Sequence, residues 1–233
     1  MIYILFFYFG CSLSSFAFCF STDWIQRSIS FTRRSQCDHC GHNLKAYELI
    51  PLVSVFLCGF HCRHCQFPIS TTYLFTELFG GLLTLVVYLL FPYHSFIFVI
   101  SYSLVVLLMI FCDWQSLMVP DLLQVFLLLL CLYDSYILSR FSVYSLLFAF
   151  SIFILLMCLN LYKADSIGGA DIKTLSILAF MTPLEQFPLV LFISSFFALL
   201  YIVVTRSPKE YRGTPLPFIP FIFLGFFVAI GLS

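Results

Sequence analysis

The stretch IFVISYSLVVLLMIFCD, residues 97–113, carries no charge until its last position, where it ends on an aspartate. A run of this length and apolarity is what a helix needs to cross a bilayer, about twenty residues or fewer when it is packed among other helices. Seven further segments read the same way: 2–20, 71–91, 121–138, 141–161, 172–183, 187–205 and 216–232, with the quoted run itself giving 95–112. Hydrophobic residues make up 62% of the chain and charged residues 9%, against about a quarter charged in ordinary soluble domains. So few charges cannot cover a water-exposed surface of this size. The expected fold is therefore an all-α polytopic membrane protein of about eight transmembrane helices, with the bilayer as its main surroundings. No nucleic-acid partner is expected, and nothing in the sequence sets an oligomeric state.

Charge placement gives the expected orientation. Residues 1–20 lack a basic leading segment and a clear small-residue cleavage site, so they read as a retained first span. If 21–70 faces the cytoplasm, Arg27, Arg33, Arg34, Lys45 and Arg63 lie on that side. Lys163, Lys173, Arg206, Lys209 and Arg212 then join them, and of the 11 basic residues only Arg140 falls outside. Such a bias follows the positive-inside rule. It places the chain in the cell membrane with both termini extracytoplasmic. Three regions follow: a first span at 1–20, a polar cytoplasmic loop at 21–70, and a membrane core at 71–233.

The loop holds two C-x-x-C knuckles, Cys37-Asp38-His39-Cys40 and Cys62-Arg63-His64-Cys65. Each knuckle offers one metal ion two thiolates, and two knuckles close a tetrahedral four-cysteine site like that of a zinc ribbon. Structural Zn2+ is the first reading, and a redox dithiol is the alternative. Gly41 eases the tight turn after the first knuckle. His39, His42, His61 and His64 read as solvated neighbours, although a histidine can replace a cysteine as ligand. Cys11, Cys19, Cys58, Cys112, Cys131 and Cys158 lie in apolar runs and read as small core residues.

Most acids have ordinary explanations. Asp23, Glu48, Asp134, Glu185 and Glu210 read as solvated or capping residues, and Asp121 as the N-cap of the fourth span. Asp113 and Asp171 are more informative, because both fall at the cytoplasmic edge, where an ionisable group is a functional candidate. Two facing carboxylates share one proton, since like charges close together do not both ionise. Such a pair can activate water with one member and polarise a peptide carbonyl with the other. Gly168 and Gly169 precede Asp171 and leave room for an extended peptide backbone, and the helix start beyond offers free N–H groups. Against this stand plainer roles, a helix cap for Asp171 and a span end for Asp113. Lys173 reads as a positive-inside anchor able to tune the carboxylates.

Four stretches together resemble the type IV prepilin peptidases, bifunctional leader peptidases and N-methyltransferases with a G-x-G-D motif. They are the loop from Arg34 through Cys37, Cys40 and His42 into Tyr47-Glu48-Leu49-Ile50-Pro51; the second knuckle running into Phe67-Pro68-Ile69-Ser70, Tyr73, Glu77 and Gly80-Gly81; Asp113 with Val119-Pro120-Asp121; and Gly168-Gly169-Ala170-Asp171-Ile172-Lys173. Ala170 stands where the motif has its second glycine, and Phe9-Gly10-Cys11-Ser12 matches the family's opening only loosely. The resemblance implies an intramembrane aspartyl endopeptidase using Asp113 and Asp171, with Gly168, Gly169, Asp121 and Lys173 in support. Its substrates would be prepilins or pseudopilins, with a basic leader cleaved on the cytoplasmic side after a glycine, ahead of an apolar helix. Methylation of the new amino terminus would use S-adenosylmethionine, with Glu48 and Glu77 as the positions for the donor. A competence system is the implied setting. The rival readings are a peptidase without methyltransferase activity, a transporter with a regulatory zinc loop, and a docking factor that uses the loop alone.

Overall fold

The computed structural model describes residues 1–25, 35–37, 39–139, 141–163, 167–205 and 215–232. The basic residues Arg27, Arg33, Arg34, Arg140, Arg206, Lys209 and Arg212, and the acids Asp38, Asp165 and Glu210, lie outside the described residues. Among those described, helices account for all regular structure apart from two isolated antiparallel bridges. The helices are α1 (Ile2–Ile25), α2 (Val53–Leu57), α3 (Thr71–Leu90), α4 (Phe96–Ser116), α5 (Asp121–Ile137), α6 (Val143–Tyr162), α7 (Gly169–Met181), α8 (Phe187–Thr205) and α9 (Ile219–Gly231). Apart from the short α2, they fall on the eight apolar segments. Five of them, α1, α3, α4, α6 and α8, are long and apolar enough to cross a membrane unaided. Large apolar side chains such as Phe75, Phe150 and Phe192 cover their outer faces, which suits lipid and not water. The chain is a multi-pass membrane protein.

Contacts divide the chain into two compact units, Met1–Leu108 and Met109–Ser233. The first is organised by α1 against α3. Small residues let these backbones approach: a Cβ at Gly10 would stand 2.5 Å from the Gly80 carbonyl oxygen and 2.6 Å from Thr84 Oγ1. Such small-residue seams are how helices associate where apolar burial gives no net drive. The Ser14 hydroxyl donates across the seam to the Thr76 carbonyl. Further along, the Phe6 and Tyr88 rings stack with centroids 4.1 Å apart. α3 begins where Ser70 accepts the Thr72 N–H at 3.2 Å, an ordinary N-cap.

The second unit is built on α7. Ile172, Leu175, Leu178 and Phe180 are buried, and α5, α6 and α9 all pack on this helix, while α8 packs on α9. With 13 residues, α7 is about 20 Å long at 1.5 Å per residue, short of the ~30 Å hydrocarbon core. It is tolerated because its neighbours, and not lipid, satisfy its flanks. Pro183 ends it, and Thr182 Oγ1 donates to the Leu178 carbonyl at 2.7 Å.

Three sequence expectations change here. Asp121 is not the cap of α5: the cap position belongs to Pro120, and Asp121 is the first helical residue with no side-chain cap bond. Asp134 is buried within α5, 5% exposed, and not solvated, because it faces inward in the helical register. Cys19 and Cys158 are exposed on helix faces, whereas Cys11, Cys112 and Cys131 are buried as expected and Cys58 is half-buried.

Candidate functional site

In the second unit, α4 does not stop at its last apolar residue. It runs on to Ser116, which puts Asp113 inside the helix and leaves it 5% exposed. The helix closes with Leu117 at φ +56°, whose N–H donates to the Asp113 carbonyl at 2.9 Å. A left-handed leucine costs about 1–2 kcal/mol. It breaks the helix directly after the carboxylate, and Ser116 Oγ helps by donating to the Cys112 carbonyl at 2.8 Å. The Asp113 carboxylate is held by the start of α9: the Ile219 N–H donates to Oδ2 at 3.0 Å, with the Phe218 N–H beside it. These are among the N–H groups that a helix leaves unpaired at its first turn, and Pro220 fixes where that turn begins. The proline marks the helix start in the sequence, but nothing local to it points to Asp113.

Asp171 lies in the first turn of α7, half-buried. Its carboxylate accepts the N–H of the cap residue Gly168 and lies within electrostatic reach of Asp113. Gly168 has a close steric role, since a Cβ there would stand 2.8 Å from Asp171 Oδ2. Gly169 faces open space. The Ala170 carbonyl receives two side chains, Thr174 Oγ1 at 2.8 Å and Gln124 Nε2 of α5 at 3.3 Å. Lys173 does not reach the two aspartates as a ligand. It pairs with Asp121 at 2.6 Å, and both side chains are largely exposed, so the pair contributes little stability. The sequence reading missed Ile219, Gln124 and Thr174, for their roles come from partners distant in sequence or from backbone geometry. The arrangement brings two carboxyl groups from α4 and α7 into mutual range, each braced by main-chain N–H groups.

In the first unit, Cys37, Cys40, Cys62 and Cys65 place their four sulfur atoms within 4.8 Å of one another. Cys37 Sγ and Cys65 Sγ are 3.9 Å apart. Four thiolates at ~2.3 Å from a tetrahedral zinc are about 3.8 Å from each other, so the cluster fits that ion. The two knuckles repeat one backbone design. Cys37 N–H donates to the His42 carbonyl at 2.9 Å, as Cys62 N–H does to Phe67 at 2.8 Å. Gly41 N–H donates to the Cys37 carbonyl and Gln66 N–H to Cys62. The left-handed position is Gly41 at φ +68° in one and Gln66 at φ +57° in the other. Backbone N–H groups of Cys65 and His64 aimed at its sulfur draw the Cys62 thiol down to about 7, which favours the ligating thiolate. The histidines stand aside: His39 stacks on Phe67, His42 on His64, and His61 Nδ1 lies 2.7 Å from the Gly59 carbonyl.

Glu48 and Glu77 also belong to this unit. Glu48 Oε2 accepts the Lys45 N–H at 2.7 Å, tying down the start of the 3-10 turn Ala46–Leu49. Glu77 is buried in α3, and its Oε2 accepts the Leu52 N–H at 2.7 Å. Leu52 is itself strained, at φ +63°. Glu77 thus ties the loop to α3, and Ser15 of α1 is a further partner. Each carboxylate holds loop backbone through its Oε2.

Fold and site together define a helical membrane protein with a cysteine metal-type knuckle pair in one unit and a braced carboxyl pair in the other. The chain belongs to the type IV leader peptidase family. That family matches residues 98–203, and the bacterial peptidase A24 N-terminal domain matches residues 8–91. A Stutzerimonas stutzeri protein named prepilin leader peptidase/N-methyltransferase is 30% identical over 216 residues, covering 86% of this chain and 72% of the relative. Relatives of the same name from Burkholderia pseudomallei (strain 1026b) and Dichelobacter nodosus are 32% and 29% identical, over 82% and 81% of this chain. The chain spans 65% of the length of the Burkholderia relative and 67% of the Dichelobacter one. No solved structure matches it.

Proposed function

We propose that the protein is an intramembrane aspartyl endopeptidase that removes the leader of type IV prepilins or pseudopilins on the cytoplasmic side. The supporting observation is the convergence, within one unit, of Asp113 from α4 and Asp171 from α7, close enough to act on each other electrostatically. The names of the relatives supply the substrate class. One carboxyl is ionised and the other protonated. The ionised member takes a proton from water as the water oxygen bonds to the scissile carbonyl carbon. The protonated member gives its proton to the carbonyl oxygen. Collapse of the resulting diol re-forms the carbonyl and breaks the C–N bond: the now-ionised carboxylate takes the diol O–H proton while the protonated carboxyl gives its proton to the leaving amine. Either aspartate can hold the shared proton at the start. Gly168 keeps room for the Asp171 carboxyl, and the α9 N–H groups keep Asp113 in place.

Zn2+ would be held by Cys37, Cys40, Cys62 and Cys65 and would hold the loop in shape. Four thiolates leave it no open position for chemistry. N-methylation of the released amino terminus is a second activity, supported by the relatives' names.

The test is co-expression with a prepilin, reading the substrate's shift on a gel. Wild type should cleave, while Asp113→Asn and Asp171→Asn should each lose at least about a thousandfold (~4 kcal/mol of barrier). Cleavage that survives in either variant removes that aspartate from the mechanism. Mass analysis of the product amino terminus tests methylation separately.

A further inference from the structure

Helices α5 and α6 both pack on α7 but scarcely touch each other. The gap between them is a groove with α7 as its floor. It holds two recesses of about 410 and 360 Å3, continuous through the shared Leu128, Phe153, Ser176 and Ile177. One recess is lined by apolar side chains apart from Ser176. The other ends at Asp121, Lys173 and Gln124. Gln124 is the informative residue. It is 4% exposed, and its Nε2 is committed to the Ala170 carbonyl. That acceptor fixes the amide's orientation, since only N–H can face a carbonyl oxygen. Its Oε1 is then buried with no hydrogen-bond partner, a state that ordinarily costs about 1–3 kcal/mol.

We propose that this groove seats the apolar segment of the peptide substrate, with Gln124 Oε1 accepting a backbone N–H near the scissile bond. The inference rests on the endopeptidase reading above. An extended or unwinding peptide brings unpaired N–H groups, which a lipid chain lacks, and these satisfy the buried oxygen. The polar end of the groove adjoins the turn bearing Asp171, so a segment lying along it would bring its leading end toward the carboxyl pair. Charge agrees with that direction. Lys173 is paired with Asp121, and the adjoining carboxyl pair keeps one negative charge, which suits a basic leader, while the remainder of the groove suits an apolar helix.

Photo-crosslinking tests the assignment. A benzophenone side chain is placed at Phe150 or Phe153 of α6, which line the groove, or at Phe192, on the outer face of α8 and 66% exposed. Each is made in the full chain carrying Asp171→Asn, so that bound prepilin stays uncut in membranes. The Phe150 and Phe153 positions should capture prepilin and the Phe192 position should not. Capture at Phe192 alone, or of lipid alone at the groove positions, overturns the groove assignment while cleavage by wild type leaves the endopeptidase reading intact. Gln124→Leu, in the chain retaining Asp171, should raise KM about tenfold for full-length prepilin with kcat nearly unchanged, and should lower capture at Phe153. A fall in kcat alone would reduce Gln124 to a brace for Ala170 and overturn its substrate contact. Failure of wild type to cleave any prepilin would remove the endopeptidase reading, and this inference with it.

Discussion

A methyl group added at Gly168 would stand 2.8 Å from Asp171 Oδ2, whereas one added at Gly169 would meet nothing within 4 Å. Gly168 has φ −62° and ψ 137°, a conformation open to alanine, so the cost of Gly168→Ala is steric and not a matter of backbone strain. The carboxyl must swing away from the position it holds over the helix start. Gly168→Ala is therefore expected to lower kcat about tenfold (~1.4 kcal/mol), and Gly169→Ala to leave kcat within about twofold, as steady-state cleavage would read. Equal loss in both would mean that the glycines serve the approaching peptide alone. Asp113 and Asp171 stood out in the sequence as candidates because one is an acid closing a long apolar run and the other an acid behind paired glycines. Their braces were not legible. The Ile219 N–H meets Asp113 across 106 positions, and the Gln124 amide meets Ala170 across 46, so no local pattern announces either contact.

At the scale of elements, the apolar runs located the helices well and their ends poorly. α4 outruns its apolar stretch because Asp113 is buried among helices and not released into solvent. α7 starts before its apolar run because the glycine pair supplies its cap and first turn. The two knuckles were visible as C-x-x-C pairs, but their backbone repetition was hidden. One uses Gly41 at the left-handed position and the other Gln66, and sequence alone flags only the glycine. Metal is expected to hold this loop, since among its described residues buried side chains are few: Ser54, Val55 and Cys62. Purified protein should carry one zinc per chain, and Cys37→Ser/Cys62→Ser should lose it. Chelation should then open residues 35–70 to limited proteolysis while α1 and α3, held by their own small-residue seam, stay intact. Full metal occupancy in the double variant would exclude the four-cysteine site.

For the whole molecule, the decisive question is how many helices cross the membrane. α5 has 17 residues, and α7 and α9 have 13 each, so length alone leaves all three in doubt. The carboxyl pair decides for α5. Asp113 lies near the C-terminal end of α4 and Asp171 at the N-terminal end of α7, with α5 and α6 between them. Because α6 is long and apolar enough to cross, the two acids lie on one side of the membrane only if α5 crosses as well, and α5 is expected to span with it. If α7 and α9 cross as well, the eight spans put both termini on the same side, extracytoplasmic by the basic-residue bias. Short epitopes inserted in the full chain read this directly. Tags after Ser139 and after Glu185 should be reached by antibody from outside intact cells, and a tag after Lys163 only once the membrane is permeabilised. A tag after Ser139 that stays hidden until permeabilisation would put both ends of α5 on one side, and the path that brings Asp113 to Asp171 would be lost.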